Sequence, residues 1–145
     1  MVGADPGAVY AVLADVAARP TWLPELLRVD APPGPGALGT RFTGETALLG
    51  HRFIGASEVV GAEAGRMLAE EVYLGARMRS TWTLEPAPEG TRVVHRIEID
   101  FPAGPFGRVE RWVLRRRLKR LQRRSLAALA GVARRGPASG EATRA

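Results

Sequence analysis

The sequence contains no cysteine. That removes disulfides, thiolate metal sites and a cysteine nucleophile together, and it fits a reducing, cytoplasmic setting. Histidine is scarce: His51 and His95 stand alone, without a His-x-x-x-His pair, so no metal site is expected. No apolar run approaches the roughly 20 residues that a membrane-spanning helix requires. Nor does a basic stretch precede an apolar one at the start, so no signal peptide is predicted. The glycine-rich stretches lack the GxxxxGK of a phosphate loop, and no GxSxG nucleophile elbow occurs. These absences leave no cofactor to expect. Lysine is nearly missing as well: Lys119 is the only one, and the other 20 basic residues are arginine.

What is present suits one globular domain. The chain has 145 residues, 46% hydrophobic and 25% charged, which is ordinary for a folded protein and too short for two usual domains. Its net charge of +6 is unevenly placed. Residues 1–107 sum to −4, residues 108–124 to +8 and residues 125–145 to +2. The basic character belongs to one short segment, which argues against a general nucleic-acid-binding surface.

The order of elements is readable. Asp5-Pro6 is a helix start, with Asp as N-cap and Pro at the first position, followed by Val9, Val12, Leu13 and Val16 at helical spacing. Pro20 is expected to end or redirect that helix. Trp22 lies between Pro20 and Pro24, as a packing anchor or a ligand contact. After a Pro/Gly loop at 31–39 the period changes to two. Thr40–Leu48, His51–Val60, Arg66–Leu74, Arg77–Glu85 and Thr91–Phe101 read as strands joined by short turns, hence antiparallel hairpins. In the last of these, Val93, His95, Ile97, Ile99 and Phe101 share one face, opposite Arg92, Val94, Arg96, Glu98 and Asp100. A long helix is predicted from about Phe106 to Val132, stopped by Gly136-Pro137. Leu114, Leu118, Leu121, Ser125, Ala128, Leu129 and Val132 form its apolar stripe. One domain over 1–135 and a disordered tail over 136–145 follow from this reading.

Four segments in this order carry a resemblance. Asp5-Pro6-Gly-Ala-Val9-Tyr10-Ala-Val-Leu13-Ala-Asp15 with Pro20-Thr-Trp22, then Gly39-Thr40-Arg41-Phe42, then Gly90-Thr91-Arg92-Val93, then Phe101-Pro102-Ala-Gly104-Pro105-Phe106-Gly107 resemble the START-like proteins of the SRPBCC superfamily. Within it they look most like the bacterial polyketide cyclase/dehydrase-like proteins. The resemblance covers about residues 3–133. It implies an α+β helix-grip fold, a curved antiparallel sheet wrapped on a long C-terminal helix. Members normally open with a β-strand before the Asp-Pro position. Only Met1 to Ala4 precede it here, so either the start is truncated or this member lacks the strand, and the neighbour's edge is expected to be exposed.

The resemblance also implies a ligand cavity between sheet and helix. Its candidate lining comes from the apolar faces: Trp22, Phe42, Phe53, Val72, Met78 and Trp82, with Val93, Ile97, Ile99 and Leu118. Each is alternatively plain core. Gly44, Gly55, Ser80 and Ala128 are small enough to leave room. His95 faces inward with Val93 and Ile97 and is a candidate acid or base, or else a core histidine satisfied by a neighbour. His51, at a strand start, is expected to be exposed. Glu70 shares a face with Leu68 and Val72, which makes it a candidate cavity carboxylate, with Glu71 on the surface; the alternative is an ion pair of Glu70 with Arg77 or Arg79.

Three functions fit. The first is binding of a small hydrophobic molecule (a lipid, isoprenoid or polyketide). The second is cyclase or aromatase/dehydratase chemistry by His95 and Glu70. The third is contact of Arg115, Arg116, Lys119, Arg120 and Arg123 with an anionic membrane surface.

Overall fold

The computed structural model describes residues 1–48, 50–100 and 108–135. Helix α1 spans Pro6–Ala14, and the Asp5 carboxylate caps it by accepting from Ala8 N–H at 3.1 Å. The helix is shorter than its apolar spacing suggested. Asp15 ends it and accepts from Ala18 N–H at 3.2 Å, which starts a new 3₁₀ turn at Arg19–Thr21. Val16 nonetheless stays buried.

Six strands follow as an antiparallel meander in sequence order: β1 Leu26–Asp30, β2 Arg41–Leu48, β3 His51–Glu63, β4 Met67–Tyr73, β5 Arg77–Ala87 and β6 Gly90–Asp100. The five predicted strands are β2 to β6. β1 carries no alternation, its Leu27 being 42% exposed, and it is defined by pairing with β2 rather than by pattern. β3 runs past Val60, the predicted end, because a bulge between Val59 and Gly61 absorbs the glycine. Such a bulge bends the strand, which helps the sheet curve. The convex face is wet and carries cross-strand ion pairs, among them Arg77–Glu71 at 2.6 Å and Arg41–Glu58 at 3.0 Å.

Helix α2, Arg108–Arg135, lies across the concave face. Phe101, the predicted end of the last strand, the predicted turn at Pro102–Gly107 and the 136–145 tail fall outside the described residues. Val9, Leu13, Val16, Val59, Leu68, Leu129 and Ala133 form the core between α1, the sheet and the C-terminal half of α2. This defines two ends of the grip. At one end α1 packs. At the other lie the β2–β3 and β4–β5 turns.

The segment ahead of α1 forms no named strand, but it does touch the sheet. Val2 and Thr91 exchange two backbone hydrogen bonds of 2.8 Å, and the Thr91 hydroxyl donates to Ala4 O at 2.7 Å. Val2 is buried as a result. Gly90, with φ +127°, permits this approach, since a Cβ there would lie 2.2 Å from Val2 O.

Candidate functional site

The concave face is lined by small residues where the sheet bends. Gly44 and Gly55 are partners across β2 and β3, and the side chains of Leu26 and Leu74 lie over them. The space left between sheet and helix is a cavity of about 170 Å³. Its wall is mainly apolar, contributed by β2 to β6, the segment from Leu13 to Leu26, and Leu121 and Ser125 of α2. Of the sequence-predicted lining residues, Trp22, Phe42, Val72, Met78, Ser80, Trp82, His95 and Ile97 stand in this wall.

Four do not, each for a positional reason. Phe53 shares the Gly55 face but sits two residues nearer the β2–β3 turn, is 39% exposed, and meets His51 edge-on at 6.4 Å. Val93, in register with Leu84, packs against the core beyond the cavity. Ile99 lies near the opposite end of β6, half-buried. Leu118 precedes the point where α2 meets the cavity at Leu121.

His95 is inward and largely buried. Its ring stacks on Trp82, its cross-strand partner, at 3.6 Å and 5°. Nε2 lies 2.8 Å from the Ser80 hydroxyl, while Nδ1 is buried without a hydrogen-bond partner. Burial pushes its pKa down to about 4, so the ring is uncharged at neutral pH. Gln122 of α2 donates to the His95 carbonyl at 3.2 Å and ties the helix to this strand. Trp22 Nε1 is likewise buried and unpartnered.

Glu70 is a cavity residue, but neither proposed partner holds it. Both its oxygens accept from Arg19: Nη1 to Oε2 at 2.9 Å, and Nη2 to Oε1. Arg77 is instead committed to Glu71, whose carboxyl it holds below the usual range by a direct hydrogen bond. Arg79 and Arg77 project from the convex face, where Glu71 lies; Glu70 points the other way, toward the segment after α1. Arg19 also donates through Nε and Nη2 to Leu13 O, at 3.1 and 2.7 Å, and its guanidinium lies 5.6 Å from the Phe42 ring centroid. Sequence reading missed Arg19 entirely. A lone Arg before Pro20 has no pattern that marks it as buried, and its partner is 51 residues away.

His51 is exposed, as expected for a strand start. Arg115, Arg116, Lys119, Arg120 and Arg123 are exposed on α2, with the Arg116 guanidinium 4.4 Å from the centroid of Trp112, itself 55% exposed. Among the described residues there is no group of three His, Asp or Glu side chains able to hold a metal ion, and no helix is long and apolar enough to cross a membrane.

No curated protein matches the sequence. Solved structures do match the fold. A Thermus thermophilus protein is 21% identical at TM-score 0.74, covering 92% of each chain. The ZhuI aromatase/cyclase of Streptomyces sp. R1128 is 19% identical at TM-score 0.77, covering 92% of this chain and 89% of its own. A START superfamily protein of Mycobacterium smegmatis is 12% identical at TM-score 0.70, covering 92% of each. At these identities the likeness is one of fold, the helix grip described above. Family membership rests on sequence: the model of the polyketide cyclase / dehydrase and lipid transport family matches residues 1–134, and the chain belongs to that family.

Proposed function

We propose that this protein binds a small, mainly apolar molecule in the cavity between the sheet and α2, with residues 1–135 acting as one binding domain. The observation that carries this reading is the cavity itself. It is about 170 Å³, apolar in most of its wall, with a few polar groups set among ring and aliphatic side chains. That is the usual make-up of a small-molecule site. The volume is close to that of an engineered cavity of about 150 Å³ that takes one benzene. One ring or a short acyl segment fills it, and a larger lipid, isoprenoid or polyketide would extend beyond it. The family description, which spans cyclase, dehydrase and lipid transport, supports the same range. Cysteine-free composition suits a cytoplasmic setting for this role. Native mass spectrometry of freshly purified protein is the direct test: a bound species of definite mass is expected. A protein that carries nothing, and whose Trp22 and Trp82 fluorescence ignores a panel of lipids and aromatic polyketides, would refute the reading.

A second reading is catalysis in the same cavity. The contact of an uncharged His95 with Ser80 supports it, because neutral imidazole is the form that accepts a proton. Glu70 is already bound by Arg19, so His95 carries the acid–base role without it. On this reading His95→Ala abolishes turnover of a cyclisation or dehydration substrate and leaves its affinity within a few-fold. Unchanged turnover excludes the role.

A further inference from the structure

We infer that the buried end of the ligand is uncharged, and that the Arg19–Glu70 pair is the specificity determinant that makes it so. The inference rests on the cavity being the binding site, and it adds which chemistry that site accepts.

Among the described lining residues the charged or titratable ones are Arg19, Glu25, Glu70 and His95. An arginine in an apolar cavity would ordinarily mark an anion site, since its fork matches a carboxylate or phosphate. Here the cavity's own carboxylate occupies that fork. Nη1 and Nη2 take the two Glu70 oxygens, while Nε and the second Nη2 hydrogen go to Leu13 O. Four of the five guanidinium N–H donors are therefore spent inside the protein, and Phe42 lies over the group. Both side chains of the pair are nearly inaccessible, at 7% and 6%. His95 adds no charge at neutral pH, and Glu25 adds a negative one. Among the described residues an incoming carboxylate would lose its water and meet no free cation, which is the situation that makes burying a charge expensive. A hydroxyl or ketone meets no such barrier. Ser57, Ser80 and Thr46 are among the lining residues, and the buried Trp22 N–H has no partner among the described residues. The chemical class that fits is a neutral ring or chain bearing hydroxyl or keto oxygen; free fatty acids and other carboxylates are excluded from the buried end.

A matched pair of probes, naphthol and naphthoate, tests this by calorimetry at neutral pH. Wild type is expected to bind naphthol about tenfold or more tightly than naphthoate. Glu70→Gln keeps the shape, releases the Arg19 charge, and is expected to shrink the preference for naphthol over naphthoate about tenfold by tightening naphthoate; a folded Glu70→Gln with the wild-type preference overturns the inference. If Glu70→Gln does not fold, Glu70→Asp keeps the charge of the pair and is expected to retain the preference for naphthol; naphthoate gaining on Glu70→Asp overturns the inference. Equal binding of the two probes by wild type overturns the inference and leaves cavity binding standing. Binding of neither overturns the cavity reading, and the inference with it.

Discussion

The two ends of the grip are built from the same materials and packed differently. On α2, Leu129 is wholly buried against α1 and the sheet, while Leu118, three turns earlier in the same stripe, is half-buried. On the concave face of the sheet, Leu68 and Leu84 are buried at the α1 end, whereas Phe53 near the β2–β3 turn is 39% exposed. The cavity lies between these two regimes. Its floor is formed by Leu13, Trp82 and the Arg19–Glu70 pair; its other limit is formed by Gly55, Leu74 and Met78 near the turns. One end fixes the fold and the other leaves room. A loosely packed end is also where local opening needs the least energy, which is what a ligand's passage requires.

Mutations that separate the two ends sharpen this contrast. The largest effect is expected at the floor. Glu70→Ala leaves the Arg19 guanidinium buried without its counter-charge and should destabilise the protein by about 3–5 kcal/mol in urea unfolding. A loss below about 1 kcal/mol would mean that Arg19 escapes to water and that the floor is not closed. Next comes the paired comparison on α2. Leu129→Ala should lose about 2–5 kcal/mol and Leu118→Ala less than about 1 kcal/mol, because only the first opens a cavity in packed core. Equal losses would erase the distinction between the ends.

The third effect follows from His95, which stands between them. Its folded pKa, about 4, lies below the ordinary histidine value of 6.5 because burial disfavours the charged ring. Below pH 6.5 the unfolded chain therefore binds more protons than the folded one. The contribution of a neutral His95 is complete above that pH and is lost as pH falls toward 4, by roughly 3 kcal/mol. Stability measured at steps from pH 7 to 4 should fall by this amount in wild type relative to His95→Gln. Parallel curves would show that the ring is solvated.

The same contrast explains how much was legible in the sequence. Period and punctuation set the element order: Asp5-Pro6 capped α1 and alternation marked β2 to β6, because each signal acts over a few residues. β1 escaped because its backbone is held by β2, and a paired edge strand needs no alternation of its own. The face of each cavity residue was readable from its parity along the strand, as with Ser80, Trp82, His95 and Ile97. How far along the strand the cavity reaches was not, and that is where Phe53, Val93 and Ile99 fell outside it. Long-range pairing was the least visible. Glu70 was recognised as inward, yet Arg19 was not, because their ion pair depends on where the segment after α1 crosses β4.

The smallest effect on stability is expected on the outer face of α2. Replacing Arg115, Arg116, Arg120 and Arg123 together with serine should change unfolding free energy by only about 0.5 kcal/mol per site or less, since all four are exposed. Removing like charges spaced three and four residues apart even relieves repulsion along the helix. If this basic face also meets anionic membranes, a contact we propose as separate from the cavity, the same variant should lose sedimentation with phosphatidylserine vesicles. Wild-type sedimentation should weaken as salt rises, because screening at 0.15 M already limits exposed charges to about 8 Å. Wild type that ignores such vesicles, or binds them independently of salt, would leave the arginines as a solvated surface only. The comparison between ends would stand in either case, because the variant touches neither the packed floor nor the cavity wall.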